Sequence, residues 1–332
     1  MKKIALTLAL LVMAVAALVM LPLYTDLPVD PSWEISPGEA PDNAVTARFS
    51  GTSTLLFSDG QTQWMIDGWF TRPKALQLVV GKIKPDLAAI EWGLARNKVT
   101  TLSAVIPVHS HYDHAMDSPE VARRTGALLM GSESTANIGR GWGLPETQIR
   151  VLQNREPVRI GNFEITPIES RHFEFAEAAM RKRALGDPLI SEPLVPPVAA
   201  FDYRLGKAYV LHVAHPKGSF AIVGSAGYEE GGLQGLQADV VFLGIGGLGS
   251  QTQAYRDAYW RETVDTLQPA RVIPIHYDSL TAPIDGPLRG TDLVMSFLSS
   301  GSDNTLPFLR AKQAANPSLV YELLPRYEEV VL

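Results

Sequence analysis

From Val45 onward the chain alternates short apolar runs with turn residues, the pattern of buried strands joined by tight connections. Ser53–Phe57, Asp59-Gly60 and Gln63–Ile66 read as a hairpin that ends at Asp67-Gly68. Asp86 is placed to cap a helix through Ala89, Ile90 and Leu94. Ala104–Val108 (AVIPV) is a buried strand leading into His-Ser-His-Tyr-Asp-His. Ser118-Pro119 starts a helix and Gly126 stops it. Strands are expected at Ala127–Met130, Ile149–Leu152 and Phe163–Pro167, the last running on to Glu169-Ser170-Arg171-His172. Phe173 to Pro197 reads as a long irregular insertion. Tyr209–Val213 and Phe220–Val223 form a second hairpin, and Val240–Leu243 runs into a glycine-rich loop. A helix over Gln253–Leu267 precedes the strand Arg271–Ile275, which ends at His276.

The segments VIPVHSH (Val105–His111) and VIPIH (Val272–His276) repeat one order: strand, proline, histidine. With mixed strands and helices around them, they suggest two similar halves, compatible with two sheets packed face to face under outer helices. The N-terminus differs. Lys2 and Lys3 precede a mostly apolar run of 18 residues, Ile4 to Leu21, about 27 Å long as a helix. It predicts a membrane anchor or signal segment over 1–24, with a buried first helix as the bland alternative. The basic start favours the cytoplasmic side. That expectation puts the body on the periplasmic side of a bacterial inner membrane, or free in the periplasm. Five prolines between Pro22 and Asp42 mark 25–44 as a linker or draped arm, leaving 45–332 as the functional domain.

Composition narrows the chemistry. The 332 residues are 46% hydrophobic and 19% charged, with a net charge of −6 and no cysteine. A weakly acidic chain argues against nucleic acid as a partner. Without cysteine there is no disulfide, thiolate metal site or cysteine nucleophile, so any metal rests on histidine and carboxylate. Of seven histidines, His109, His111 and His114 share a six-residue run with Asp113. His109 and His111 are two apart in extended chain and point the same way. Their neutral imidazoles suit Zn²⁺, with iron or manganese as alternatives. His172 and His276 lie at other strand ends, where α/β folds present chemistry. His212 and His215 sit in or after a strand, with His215 the nearer to a supporting role at the site.

HSHYDH matches the His-x-His-x-Asp-His signature of the metallo-β-lactamase fold superfamily, and the chain resembles that superfamily from about Val45 to Ser279. GTSTLLF and MIDG (Gly51–Gly68) resemble its opening strands, ESRH carries its later histidine and VIPIH its last. The resemblance implies an αββα sandwich holding one or two ions, usually zinc. By resemblance, His109, His111 and His172 would hold the first ion and Asp113, His114 and His276 the second, with Asp67 hydrogen-bonding the metal loop. One departure stands out. AIVGSAGY (Ala221–Tyr228) has Ser225 where the family usually places a metal-bridging aspartate, which implies a weaker second ion or a mononuclear site.

The expected reaction is hydrolysis of an ester, lactone or phosphodiester bond by metal-activated water, with Asp113 as ligand or general base and Tyr228 and Arg171 as possible substrate contacts. The HYDH form and GSAGY turn resemble the branch of N-acyl phosphatidylethanolamine phospholipases and ascorbate-phosphate lactonases, which implies a small-molecule or lipid-like substrate. A non-catalytic metal-binding protein with a decayed site is the contrasting reading. β-Lactamase or nuclease activity is less favoured.

Overall fold

The computed structural model describes residues 23–38, 40–296 and 304–332. Among these, the strands form two seven-stranded mixed sheets. The first has the order β14-β1-β2-β3-β4-β5-β6, built from β1 (Thr46–Gly51), β2 (Thr54–Ser58), β3 (Gln63–Ile66), β4 (Ala104–Ile106), β5 (Leu128–Gly131), β6 (Ile149–Val151) and β14 (Glu329–Val331). The second has the order β13-β12-β11-β10-β9-β8-β7, built from β7 (Val158–Ile160), β8 (Phe163–Ser170), β9 (Ala208–His215), β10 (Gly218–Val223), β11 (Val240–Gly244), β12 (Arg271–Ile275) and β13 (Val320–Tyr321). Both sheets combine antiparallel hairpins with parallel strands, β3 to β6 in one and β10 to β13 in the other. Flanked by helices, they make the expected αββα sandwich.

The sheets meet through an aromatic seam. Phe57 on β2 stacks on Trp64 at 4.8 Å and on Phe220 of the other sheet at 4.7 Å, with Phe242 edge-on at 5.3 Å. Trp64 meets Phe163 of β8 at 5.9 Å. All five rings are buried. Such pairs contribute about 0.5–1.5 kcal/mol each beyond their area. On the outer side of the first sheet, the helix Leu87–Arg96 starts at Asp86, whose carboxylate accepts from the backbone of Ala88 and Ala89. The helix Ser118–Thr125 stops at Gly126, which takes a left-handed φ of 75°.

The elements differ from the sequence expectation in several places, among them the helices Ala75–Val80 and Glu133–Gly141 and the strand Val158–Ile160, none of which was expected. The insertion carries a helix, Ala178–Leu185, of which only Ala184 is buried. The helix expected over Gln253–Leu267 is α-helical to Trp260 and then widens to a π-helix over Arg261–Asp265. The C-terminal end, which carried no sequence signal, supplies the helix Thr305–Ala315 and an edge strand to each sheet. The arm over 25–44 lies on the body, with Trp33 buried against the Tyr321 ring at 4.9 Å.

The membrane-anchored expectation is corrected. Among the described residues no helix is long and apolar enough to cross a membrane. The apolar run Ile4 to Leu21 that prompted the anchor or signal reading lies outside the described residues. The transmembrane anchor, the inner-membrane partner and the inner-membrane location are therefore withdrawn.

One buried carboxylate ties the first sheet's loops together. Asp117 accepts from Phe70 N (2.8 Å), Thr71 N (2.6 Å) and Thr71 Oγ1 (2.8 Å). It thereby holds the segment after β3 against the start of the helix that follows HSHYDH. Asp117→Ala leaves two buried N–H groups unpaired and should cost about 2–4 kcal/mol, whereas Asp117→Asn keeps an acceptor and should cost less. Chemical denaturation of the three proteins checks this ordering; equal stability would contradict it.

Candidate metal centre

The parallel strands set the site, because their C-terminal ends share one rim. Asp67 follows β3, His109 to His114 follow β4, His172 follows β8, Ser225 follows β10 and His276 follows β12. The Thr52-Ser53 turn between β1 and β2 reaches the same rim. Thr52 O accepts from His276 N at 2.5 Å, and Ser53 Oγ lies 3.1 Å from His114 Nδ1. His276 takes a positive φ of 59°, turning sharply as it leaves β12.

Among the described residues, two groups of three side chains converge on possible ions. One is His109, His111 and His172; the other is Asp113, His114 and His276, and within each the donor atoms lie within 4.8 Å of one another. His109 Nε2 and His111 Nδ1 are 3.1 Å apart. His276 Nε2 is 3.2 Å from His114 Nε2 and 3.3 Å from Asp113 Oδ2, and His114 Nε2 is 3.7 Å from that oxygen. Ligands at zinc distances of 2.0–2.1 Å in a tetrahedron stand about 3.3 Å apart, so these spacings fit a shared cation.

The outward hydrogen bonds support the fit. His114 Nδ1–H donates to Asp67 Oδ2 at 2.8 Å, leaving Nε2 bare toward Asp113 and His276. His111 Nε2–H donates to Ala184 O at 3.3 Å, leaving Nδ1 bare toward His109. His172 Nδ1–H donates to Phe173 O at 2.8 Å, leaving Nε2 bare. Metal-binding histidines are usually held in this way, with the second nitrogen on a carboxylate or carbonyl.

Electrostatics point the same way. Burial pulls the His111 pKa down to about 4. Burial, reinforced by neighbouring imidazoles, holds His109 and His172 well below the usual range. These three are therefore neutral at pH 7, as ligands must be. Burial alone would raise the Asp113 pKa, but His114 and His276 hold it below the usual carboxylate range. Burial opposes a proton on His114, yet Asp67 and then Asp113 keep its pKa raised. The two groups thus differ: one is three neutral imidazoles, the other includes the Asp113 carboxylate and is backed by the buried Asp67.

The remaining expected residues fall in different places. Asp67 is fully buried, and its second oxygen accepts from Val108 N at 2.9 Å, just ahead of His109. Ser225 lies in the loop between Gly224, packed on the Val108 side chain, and Gly227, packed on the Arg171–His172 backbone. Its Oγ is buried and has no hydrogen-bond partner among the described residues. Arg171 turns outward, its side chain 73% exposed and paired with Glu229. Tyr228 packs on Tyr255 with ring centroids 5.2 Å apart. His215 sits at the opposite rim, as the last residue of β9, within 3.4 Å of Asp59 Oδ2. Its position in sequence did not reveal that β9 runs away from the metal rim. Thr52, Ser53 and the carbonyls of Phe173 and Ala184 went unnoticed in the sequence. Backbone carbonyls leave no mark there, although the GTST turn was readable.

The profile of the beta-lactamase superfamily domain matches residues 46–276. The chain belongs to the beta-lactamase superfamily. It is 26% identical over 237 residues to a UPF0173 metal-dependent hydrolase of Myxococcus xanthus, covering 71% of this chain and 70% of that protein. It is 24% identical over 238 residues to a protein of the same name from Pyrobaculum arsenaticum, covering 70% and 84%. Among solved structures, Igni18, a metallo hydrolase from the archaeon Ignicoccus hospitalis, aligns with a TM-score of 0.52 at 16% identity, over 87% of this chain and 98% of that one. That likeness supports the fold. Two metal-binding clusters within this fold point to a metal-dependent hydrolase.

Asp67→Asn tests the link between Asp67 and its neighbours, because asparagine tolerates the left-handed φ of 59° at this position. One amide cannot accept from both Val108 N and His114 Nδ1–H. Zinc affinity at the Asp113 group should fall about 10–100-fold, measured by competition with a chromophoric chelator. Unchanged affinity would remove Asp67 from metal binding.

Proposed function

We propose that the protein is a zinc-dependent hydrolase that cleaves an ester, lactone or phosphodiester bond, using both three-donor groups. The observation that carries this reading is the convergence of bare imidazole nitrogens and an ionised carboxylate at one rim, with the outward N–H groups of His111, His114 and His172 already engaged. When bound, a divalent ion supplies Lewis acidity, acidifying water and polarising a carbonyl or phosphoryl oxygen. His109, His111 and His172 form one neutral cradle for such an ion. Asp113, His114 and His276 form the other. Asp113 serves first as a ligand, and where its group lacks an ion it is the general base that takes a proton from attacking water.

By the family resemblance Ser225 stands at the position of a bridging carboxylate, so we assign the weaker hold to the Asp113 group. The wall beside His172 is aromatic: Phe173 lies 4.4 Å and Phe175 5.8 Å from its ring, centroid to centroid. That wall favours a substrate with an apolar or acyl portion next to the scissile bond. A lactone or an acylated phosphodiester meets this description. The curated relatives are named only for metal-dependent hydrolysis, so the choice between those bonds rests on the aromatic wall beside His172.

The test is hydrolysis of p-nitrophenyl ester, lactone and bis(p-nitrophenyl) phosphate probes by chelator-stripped protein, with zinc, manganese or iron(II) added back. Turnover of at least one probe should depend on metal, and Asp113→Asn should lower it about 100-fold or more with the fold retained. Stable, folded protein inactive on every probe with every metal would favour a non-catalytic metal-binding protein.

A further inference from the structure

The insertion between β8 and β9 accepts two hydrogen bonds from the His109–His111–His172 group, both at main-chain carbonyls. Phe173 O, at its start, accepts from His172 Nδ1–H at 2.8 Å. Ala184 O, in the last turn of the helix Ala178–Leu185, accepts from His111 Nε2–H at 3.3 Å. A neutral imidazole has two tautomers, and a carbonyl accepts from only one. The insertion therefore selects Nδ1 of His111 and Nε2 of His172 as the bare nitrogens.

The two ends of the insertion are anchored differently. Its distal part is pinned to the helix Glu133–Gly141: Ile190 N donates to Ser134 Oγ (3.0 Å), Asn137 Nδ2 to Ile190 O (2.7 Å) and Leu194 N to Asn137 O (3.0 Å). The helix Ala178–Leu185 buries only Ala184, the residue whose carbonyl meets His111. Arg181 bonds back to the carbonyls of Phe175 and Ala176, within the insertion itself. A helix of 8 residues with one buried side chain gains little from its own sequence.

We infer that this helix and the three-histidine group are coupled: an ion held by the group orders the helix, and the ordered helix tightens the hold on the ion. A cation on Nδ1 makes the opposite N–H of His111 a stronger donor to Ala184 O, and the reasoning applies equally to His172 and Phe173. Linkage requires the effect to run both ways. The inference rests on metal binding at this group, as in the proposed function. It adds that the helix Ala178–Leu185 is fully ordered only when the site is loaded.

The experiment is hydrogen exchange of the full chain, metal-free and with zinc, read on the amides of 178–185. Zinc affinity is then measured for the wild type, Lys182→Pro and Lys182→Ala. Lys182 is exposed and in mid-helix. Proline there removes a helical N–H and clashes with the preceding turn, whereas alanine keeps the helix. Zinc should slow exchange over 178–185 in the wild type about tenfold or more. Affinity at the three-histidine group should fall about 10–100-fold in Lys182→Pro, the range seen on losing such supporting bonds, and hold in Lys182→Ala. Zinc bound with exchange over 178–185 unchanged overturns the coupling alone, and so does a folded Lys182→Pro protein that binds zinc as tightly as the wild type. A wild type that binds no zinc overturns the coupling and the proposed function together. The exchange comparison uses only wild-type protein, so it decides the question even if Lys182→Pro does not fold.

Discussion

The face-to-face packing of the two sheets across Phe57, Trp64, Phe220, Phe242 and Phe163 fixes where everything else can be. With that seam in register, β3 and β4 of one sheet and β8, β10 and β12 of the other end at a common rim. Residues from 53 to 276 then meet within a few ångströms, although no two of the three histidine-bearing segments are neighbours in sequence. The site is thus a consequence of sheet packing. A strand slipped by one residue would turn its side chains to the opposite face and scatter the donors.

Asp67 couples this scaffold to the chemistry. One carboxylate oxygen positions the backbone entering the histidine loop, and the other orients His114. Asp117 holds the segment after Asp67 against the helix that closes the loop. Buried carboxylates are costly unless their hydrogen bonds are satisfied. Both are satisfied here by loops that carry or flank donor residues, so rigidity is concentrated beside the rim. The insertion differs in kind: its helix is exposed and meets the rim through one carbonyl, that of Ala184. The protein therefore combines a stiff base with a looser wall.

Much of this was legible in the sequence because the relevant signals are local. HSHYDH is a dense run of ligand-type residues at a strand end, and VIPIH repeats its approach. The first hairpin, the Asp86 cap and the Gly126 stop each depend on a few neighbouring residues, and each forms where expected. The errors came from direction and distance. Arg171 is adjacent to His172 in sequence, but alternation along extended chain turns its side chain outward to Glu229. His215 ends a strand that runs away from the rim. The edge strands Val320–Tyr321 and Glu329–Val331 are too short to show a period, and only their partners reveal them. The apolar N-terminal run strongly suggested a membrane segment, but the described fold contains no helix fit to span a bilayer.

The central claim is that two groups of side chains at one rim are metal sites. The most direct measurement is anomalous diffraction at the zinc edge from crystals of protein supplied with zinc. The expected result is a peak within zinc-ligand distance, about 2.0–2.2 Å, of the His109, His111 and His172 nitrogens, with a second of equal or lower occupancy at Asp113, His114 and His276. Ordered side chains at both groups with no anomalous peak at either, in crystals where zinc binds elsewhere on the protein, would contradict it.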